Sequence, residues 1–278
     1  MRFGSLHGRL TAFLPEGAVD VEKASGGRFG ADPQSVYTDW EAFRAFTFSG
    51  EDAVDFDPAD LDAPAPAPAQ VFAIGLNYRA HAAESKLDVP ERFPPVFTKF
   101  RTALSGPVTT VVLPSGTVDW EVELVVVIGR RADHVSAADA WEHVAGLTVG
   151  QDLSERTSQL AGPAPQFSLG KSFRGFAPTG PWIVTVDEVE NPDDLELGCA
   201  VDGEQVQLGR TADLLFGVPA LIEGLSAVTS LLPGDLIFTG TPAGVGMGRT
   251  PQRFLQPGEV LTSHIEDIGE LTQTFVKE

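Results

Sequence analysis

Two glutamates two residues apart, Glu121 and Glu123, open the segment VDWEVELVVVIG, residues 118–129. Its β-branched composition and closing glycine predict a strand bound for a core. Side chains alternate across a strand, so both carboxylates share one face, which Val125 and Val127 continue inward. In water, such a pair is only the polar face of an edge strand. Buried, it needs a partner or a cation. A third acid, Asp152, follows another apolar strand-like segment, VAGLTVGQD. Three carboxylates at strand ends form an oxygen-donor cage suited to Mg²⁺ or Mn²⁺. The lack of nearby Cys or His speaks against a typical zinc site. Asp119 is a possible fourth acid: it lies on the same face but nearer the strand start, where solvation is the simpler account.

His81 and Glu84 stand three residues apart in NYRAHAAE, residues 77–84, a spacing that brings them together on a helix. A carboxylate beside a histidine raises its basicity and orients it, as a general base requires; a surface pair has the same spacing. The polar, proline-rich SKLDVPERFPPVFTK that follows suits a mobile lid. Lys171 stands in SLGKSF among phenylalanines and a leucine. It could snorkel to solvent, or bind an anion or stabilise an enolate. Gly-Lys-Ser is not a nucleotide loop here, because Pro165 occupies the position of the first Walker glycine. The glycine-rich FTGTPAGVGMG, residues 238–248, offers Thr239 and Thr241 hydroxyls and allows close backbone approach to a ligand.

The elements that must position these groups are mostly strand-like: short, β-branched and divided by turn signals. Asp202-Gly203 and His7-Gly8 read as hairpin turns. Apolar spacing predicts a helix over Val218–Thr229, with shorter ones over Ala137–Val144 and Ala80–Ser85. Residues 1 to about 50 read as a small β-rich unit. An acidic stretch and alternating Ala-Pro over residues 63–68 form an extended connector, placing a boundary near residue 69. The expected organisation is a small N-terminal domain over 1–69 and a catalytic domain over 70–278.

The 278-residue chain is long enough for a substantial core. Its formal net charge of −20 argues against nucleic acid and anionic membranes as partners. Any anion site must therefore be locally basic. The single cysteine, Cys199, lies in an alternating segment and reads as a packed core thiol. With no signal-like N-terminus and no apolar run of ~18–20 residues, the expectation is a soluble cytoplasmic protein.

Taken together, IGLNYRAHAAES, PPVFTKFRTALSGP, DWEVELVVVIGR, VAGLTVGQDLSER, LGKSFRGFAPTGPWIVT, LLPGDLIFTGTPAGVG and the LQPGEVL…IEDIGEL ending resemble the fumarylacetoacetate hydrolase family over roughly residues 70–276. The resemblance implies a β-dominated α+β protein: a mixed β-sheet roll or barrel core with few helices, a smaller N-terminal region, and a homodimer. It implies one divalent ion per subunit, Mg²⁺ or Mn²⁺, held by Glu121, Glu123 and Asp152. His81 and Glu84 match the water-activating dyad, and Lys171 the lysine facing substrate. Arg156 and Gln159 match groups that contact the substrate acid. Thr241, beside Gly240 in the TGTP loop, matches the threonine that holds the substrate carboxylate. Arg174 departs from the family, where many members have Asp.

The implied activity is metal-dependent hydrolysis of a C–C bond in a 1,3-dicarbonyl acid, an acylpyruvate or fumarylacetoacetate-like diketone. Oxaloacetate-type decarboxylation, and isomerisation or hydration of oxo-acids, use the same enolate chemistry. A non-catalytic metal-binding protein is the alternative of a different class.

Overall fold

The computed structural model describes residues 1–114 and 116–277. Strands dominate the described residues. In chain order they are β1 (Arg2–Leu6), β2 (Arg9–Leu14), β3 (Gly17–Asp20), β4 (Val71–Ile74), β5 (Val96–Thr98), β6 (Leu104–Ser105), β7 (Val108–Leu113), β8 (Val118–Asp119) and β9 (Val122–Ile128). There follow β10 (Val144–Gln151), β11 (Ser154–Glu155), β12 (Ala177–Val184), β13 (Glu196–Val201), β14 (Glu204–Arg210), β15 (Leu236–Phe238), β16 (Val260–Ile265) and β17 (Gly269–Lys277). The α-helices are short: α1 (Val21–Ala24), α2 (Trp40–Arg44), α3 (Arg79–Glu84), α4 (Arg156–Gln159), α5 (Phe167–Gly170) and α6 (Val218–Ser226).

The main sheet runs β3-β2-β1-β12-β10-β9-β15-β4-β5, with β6 attached to β12. A second sheet runs β14-β13-β16-β17-β7, and β8 pairs with β11. Both parallel and antiparallel pairs occur, as in β15 beside β4 and β15 beside β9. The main sheet stays open between β3 and β5 rather than closing into a barrel.

Alternation along β9 decides the layering. Val122, Leu124, Val126 and Ile128 enter a core shared with Leu197, Cys199, Leu261 and Phe275 of the second sheet. Val125 and Val127 face the other way, into a cluster with Phe3, Trp40, Val71 and Phe238. Glu123 lies on this second face, two residues before Val125. Cys199 is buried in the first core as expected, and burial pushes its thiol pKa up.

β1 pairs with β12, so the N-terminal strands extend the main sheet. Phe3 and Leu10 share a cluster with Val125 and Leu236. The boundary near residue 69 is thus a change of composition within one continuous sheet and core. The Ala-Pro connector is packed, not free: Ala63, Pro64 and Ala65 are buried. The two hairpin turns form, with His7, Gly8, Asp202 and Gly203 all at positive φ. The expected Val218–Thr229 helix ends at Ser226, leaving Val228 exposed, and the Ala137–Val144 segment holds only a 3₁₀ turn over Ala140–His143. No helix among the described residues is long and apolar enough to cross a membrane.

β10 lies against β9 with Gly150 opposite Glu123. A Cβ at Gly150 would come within 2.4 Å of Val125 Cγ2 and 2.7 Å of Phe238 Cε1. Both neighbours are buried, so overpacking should cost about 1–3 kcal/mol. Gly150→Ala is expected to lower the urea midpoint accordingly without changing the slope of unfolding. An unchanged midpoint would refute the tight packing of β9 on β10.

Candidate active site

The segment expected as one strand is broken. β8 ends at Asp119 and β9 begins at Val122, so Glu121 sits in the break. Buried glutamines hold that backbone: Glu121 N–H donates to Gln151 Oε1 (2.9 Å) and Val122 N–H to Gln207 Oε1 (3.0 Å). The break is thus a fixed conformation that brings Glu121 beside Glu123. Asp152 follows β10, and its N–H donates to the Glu121 carbonyl (2.9 Å). One oxygen from each of Glu121, Glu123 and Asp152 lies within 4.8 Å of the others, and all three residues are buried.

Three buried carboxylates this close demand positive charge. Lys171 Nζ donates to Glu121 Oε2 and to Asp152 Oδ2, both at 2.7 Å. Its ammonium therefore points inward, over the Phe97 ring at 5.0 Å, rather than snorkelling to solvent. Lys99, fully buried, donates to Asp152 Oδ1 and to the Lys171 carbonyl. Arg156 lies 2.8 Å from Glu121 Oε1. Burial pushes the Glu121 carboxyl upward, but Lys171 and Arg156 outweigh it and hold the pKa down at about 2. Glu123 is driven well above the usual carboxylate range by burial and by Asp152 and Glu121. Burial likewise lowers Lys99, against the pull of Asp152. Lys171 rises because Asp152 and Glu121 overcome its burial. The donor set fits a hard dication: three oxygen ligands, with an ammonium standing in as the counter-charge between two of them.

Asp119 is buried, not solvated. Its Oδ2 accepts from Arg156 Nε (2.9 Å) and Nη2 (2.7 Å), and from Met247 N–H (2.9 Å). Its Oδ1 accepts from Gly246 N–H (2.7 Å) and Trp120 N–H (2.9 Å). Arg156 Nη1 completes the network on Gln159 Oε1 (2.9 Å).

His81 Nδ1 and Glu84 Oε1 are 2.8 Å apart on α3, and His81 is buried. Glu84 Oε2 accepts from Gly244 N–H (2.9 Å), which ties the helix to the glycine-rich loop. That loop is therefore an internal scaffold. Gly240, at φ +100°, donates its N–H to Glu123 Oε2 (2.7 Å). Thr241 Oγ1 donates to the Val122 carbonyl and accepts from Gln207 Nε2. In the loop expected to hold substrate, the Gly240 N–H and the Thr241 hydroxyl proton are engaged within the protein, while Thr241 also lines a cavity.

A cavity of about 130 Å³ adjoins these groups, lined by His81, Glu121, Glu123, Arg156, Gln159, Lys171 and Thr241 among others. Leu87 and Pro95, from the segment expected as a lid, also line it. Asp152 is not among the lining residues and is held by the two lysines. Arg174 is not in the wall. Lys99, Gln151 and Gln207 carry no local sequence signal as site residues, and Asp119, a possible fourth acid by its position, is the anchor of Arg156 instead of a solvated group. Lys99 lies within PPVFTKF, but no local spacing links it to an acid 53 residues away.

Fold and site together define an open, mixed-sheet β protein with a buried carboxylate centre of the divalent-metal type, which shares a cavity with the histidine of a His–Glu pair. The chain belongs to the fumarylacetoacetate hydrolase family: the fumarylacetoacetate (FAA) hydrolase C-terminal domain matches residues 70–276. It is 44% identical over 216 residues to the human mitochondrial oxaloacetate tautomerase FAHD2A, covering 77% of this chain and 68% of that protein. It is 44% identical over 207 residues to 2,4-didehydro-3-deoxy-L-rhamnonate hydrolase of Sphingomonas sp. strain SKA58, covering 73% and 72%. A crystal structure of a candidate HpcE protein from Mycobacterium smegmatis is 55% identical, with a TM-score of 0.94 over 100% of this chain and 99% of that one. Maleylpyruvate hydrolase from Sphingobium sp. SYK-6, solved with manganese(II) and pyruvate, is 28% identical with a TM-score of 0.79, covering 100% and 99%.

Mn²⁺ or Mg²⁺ at a hundred times its dissociation constant should stabilise the protein by about 2.7 kcal/mol, read as a rise in melting temperature that EDTA reverses. Glu123→Gln and Asp152→Asn should abolish that rise. Lys99→Met should destabilise the EDTA-treated protein by about 3–5 kcal/mol, because it strips a buried carboxylate of a partner. A melting temperature indifferent to metal in the parent protein would refute the centre.

Proposed function

We propose that the protein is a divalent-metal-dependent hydrolase that cleaves a C–C bond in a 1,3-dicarbonyl acid such as an acylpyruvate. The observation that carries this reading is His81, buried in the wall of the cavity that Glu121 and Glu123 also line and held through Nδ1 by the half-buried Glu84 behind it in the chain. In this reading Glu121, Glu123 and Asp152 hold Mg²⁺ or Mn²⁺, one per subunit. The bound ion would supply Lewis-acid polarisation of the substrate's oxo groups. Glu84 orients the imidazole through Nδ1, leaving Nε2 to take a proton from water. Hydroxide adds to the distal carbonyl, and the C–C bond electrons pass into the enolate of the pyruvoyl fragment. Lys171 supplies positive charge beside it. The imidazolium then returns its proton to the enolate carbon, giving pyruvate and a carboxylic acid. Arg156 and Gln159 orient the substrate acid. We further propose that it acts as a cytoplasmic homodimer.

A second reading, keto–enol tautomerisation of an oxo-acid, is favoured by the relatives named oxaloacetate tautomerase at 44% identity. It uses the same base without water. Decarboxylation of oxaloacetate is the third reaction open to the same groups.

Purified protein with Mn²⁺ and acetylpyruvate should release acetate and pyruvate in equal amounts, and EDTA should stop it. His81→Ala and Glu84→Ala should each lower turnover by about 10²–10⁴-fold. Near-normal turnover in either variant would refute the assigned base. Loss of the enol absorbance of oxaloacetate without carbon dioxide release, and no acetylpyruvate cleavage, would establish the tautomerase reading.

A further inference from the structure

The cavity wall is divided by chemistry. Its ionisable groups are Glu121, Glu123, Arg156, Lys171 and His81. Most of the rest is apolar, Leu76, Leu87, Phe97, Leu160, Phe167 and Met247 among it, and the neutral polar members are Ser85, Gln159 and Thr241. Both permanent cations are already engaged. Arg156 spreads its guanidinium over Asp119, Glu121 and Gln159, and Lys171 holds Glu121 and Asp152. Lys86 and Arg92, from the lid segment, are exposed and lie outside the wall.

Leu76 is the unusual member of the apolar part. Its φ is +56°, a left-handed conformation that costs a side-chain-bearing residue of this kind about 1–2 kcal/mol. The bend persists because its surroundings over-determine it. Gly75 N–H donates to the Pro95 carbonyl (2.9 Å). The Asn77 side chain bridges Phe216 N–H (2.9 Å), the Phe216 carbonyl (3.0 Å) and the Thr239 carbonyl (2.8 Å). Leu76 is half-buried and belongs to none of the three hydrophobic core clusters. A strained residue held in a cavity wall, with its side chain outside the core, marks a functional constraint.

We infer that Leu76, with Leu160 and Leu87, selects a monoanionic 2-oxo acid whose distal end is an uncharged, apolar chain, and rejects dicarboxylates. One carboxylate and its neighbouring oxo group use the polar part of the wall. A second carboxylate would lie beside half-buried Leu76 and the partly exposed Leu87 and Leu160, with no unengaged cation in the wall to meet it. This rests on the proposed function for the orientation of the substrate acid, and it narrows that reading to acylpyruvates with an alkyl acyl group.

The test is binding of unreactive 2-oxo acids to the Mn²⁺-loaded protein by calorimetry, which needs no turnover. 2-Oxohexanoate should bind about tenfold or more tightly than either pyruvate or 2-oxoglutarate, the range a few buried methylenes provide. Leu76→Arg should reverse the order between 2-oxohexanoate and 2-oxoglutarate. Leu160→Arg should do the same from a position that is 47% exposed, and it remains the decisive variant if Leu76→Arg fails to fold. 2-Oxoglutarate binding as tightly as 2-oxohexanoate, or reversal by neither folded variant, overturns the inference. Binding of none of the three acids overturns both the inference and the proposed function. The expected preference without cleavage of any acylpyruvate sinks the hydrolytic reading alone.

Discussion

Three carboxylates buried within 4.8 Å of one another are the constraint around which the rest of the site is arranged. No packing of apolar groups offsets such a charge; only opposite charge at short range does. Two buried lysines and one buried arginine, drawn from three separate parts of the chain, answer it. Their placement explains why this end of the main sheet is so heavily bonded. β9 brings Glu123, the break before it brings Glu121, and the end of β10 brings Asp152. Of the two lysines, Lys171 also lines the cavity, while Lys99 is wholly enclosed.

The glycine-rich loop after β15 is the second organising element. It donates backbone N–H groups to Glu123, to Glu84 and to Asp119, carboxylates on three different elements. A loop that reads as a ligand cradle is here the strap that ties Glu123 of the carboxylate centre, Glu84 of α3 and the Asp119 partner of Arg156 together. Glycine is required where the backbone passes closest. A Cβ at Gly246 would lie 1.7 Å from the Arg253 carbonyl oxygen, and one at Gly240 would lie 2.8 Å from Asn77 Cβ. Catalytic geometry in such a site depends on backbone rigidity as much as on the reacting side chains.

Relatives named as tautomerase and hydrolase, and solved neighbours named as isomerase and hydrolase, share this scaffold. One scaffold can host several reactions, and the reaction is set by the site rather than by the fold.

Much of this was legible in the chain itself. Period-two alternation marked the strand faces, and Asp-Gly and His-Gly marked the turns. Spacing alone paired His81 with Glu84, and the acid pair stood out against its apolar strand. These are local signals, set by backbone geometry within a few residues. Tertiary structure alone decided the rest. The N-terminal strands joined the main sheet because β1 found its partner in β12, more than 170 residues away. Asp119 turned from a solvated acid into the anchor of Arg156, and Lys99 became the second counter-charge, because burial and electrostatic pairing act between groups far apart in sequence. Thr241 and Gly240 were drawn into the scaffold for the same reason. Hydrogen-bonding groups in a buried site must be satisfied by whatever the fold brings near, and no local pattern states what that will be.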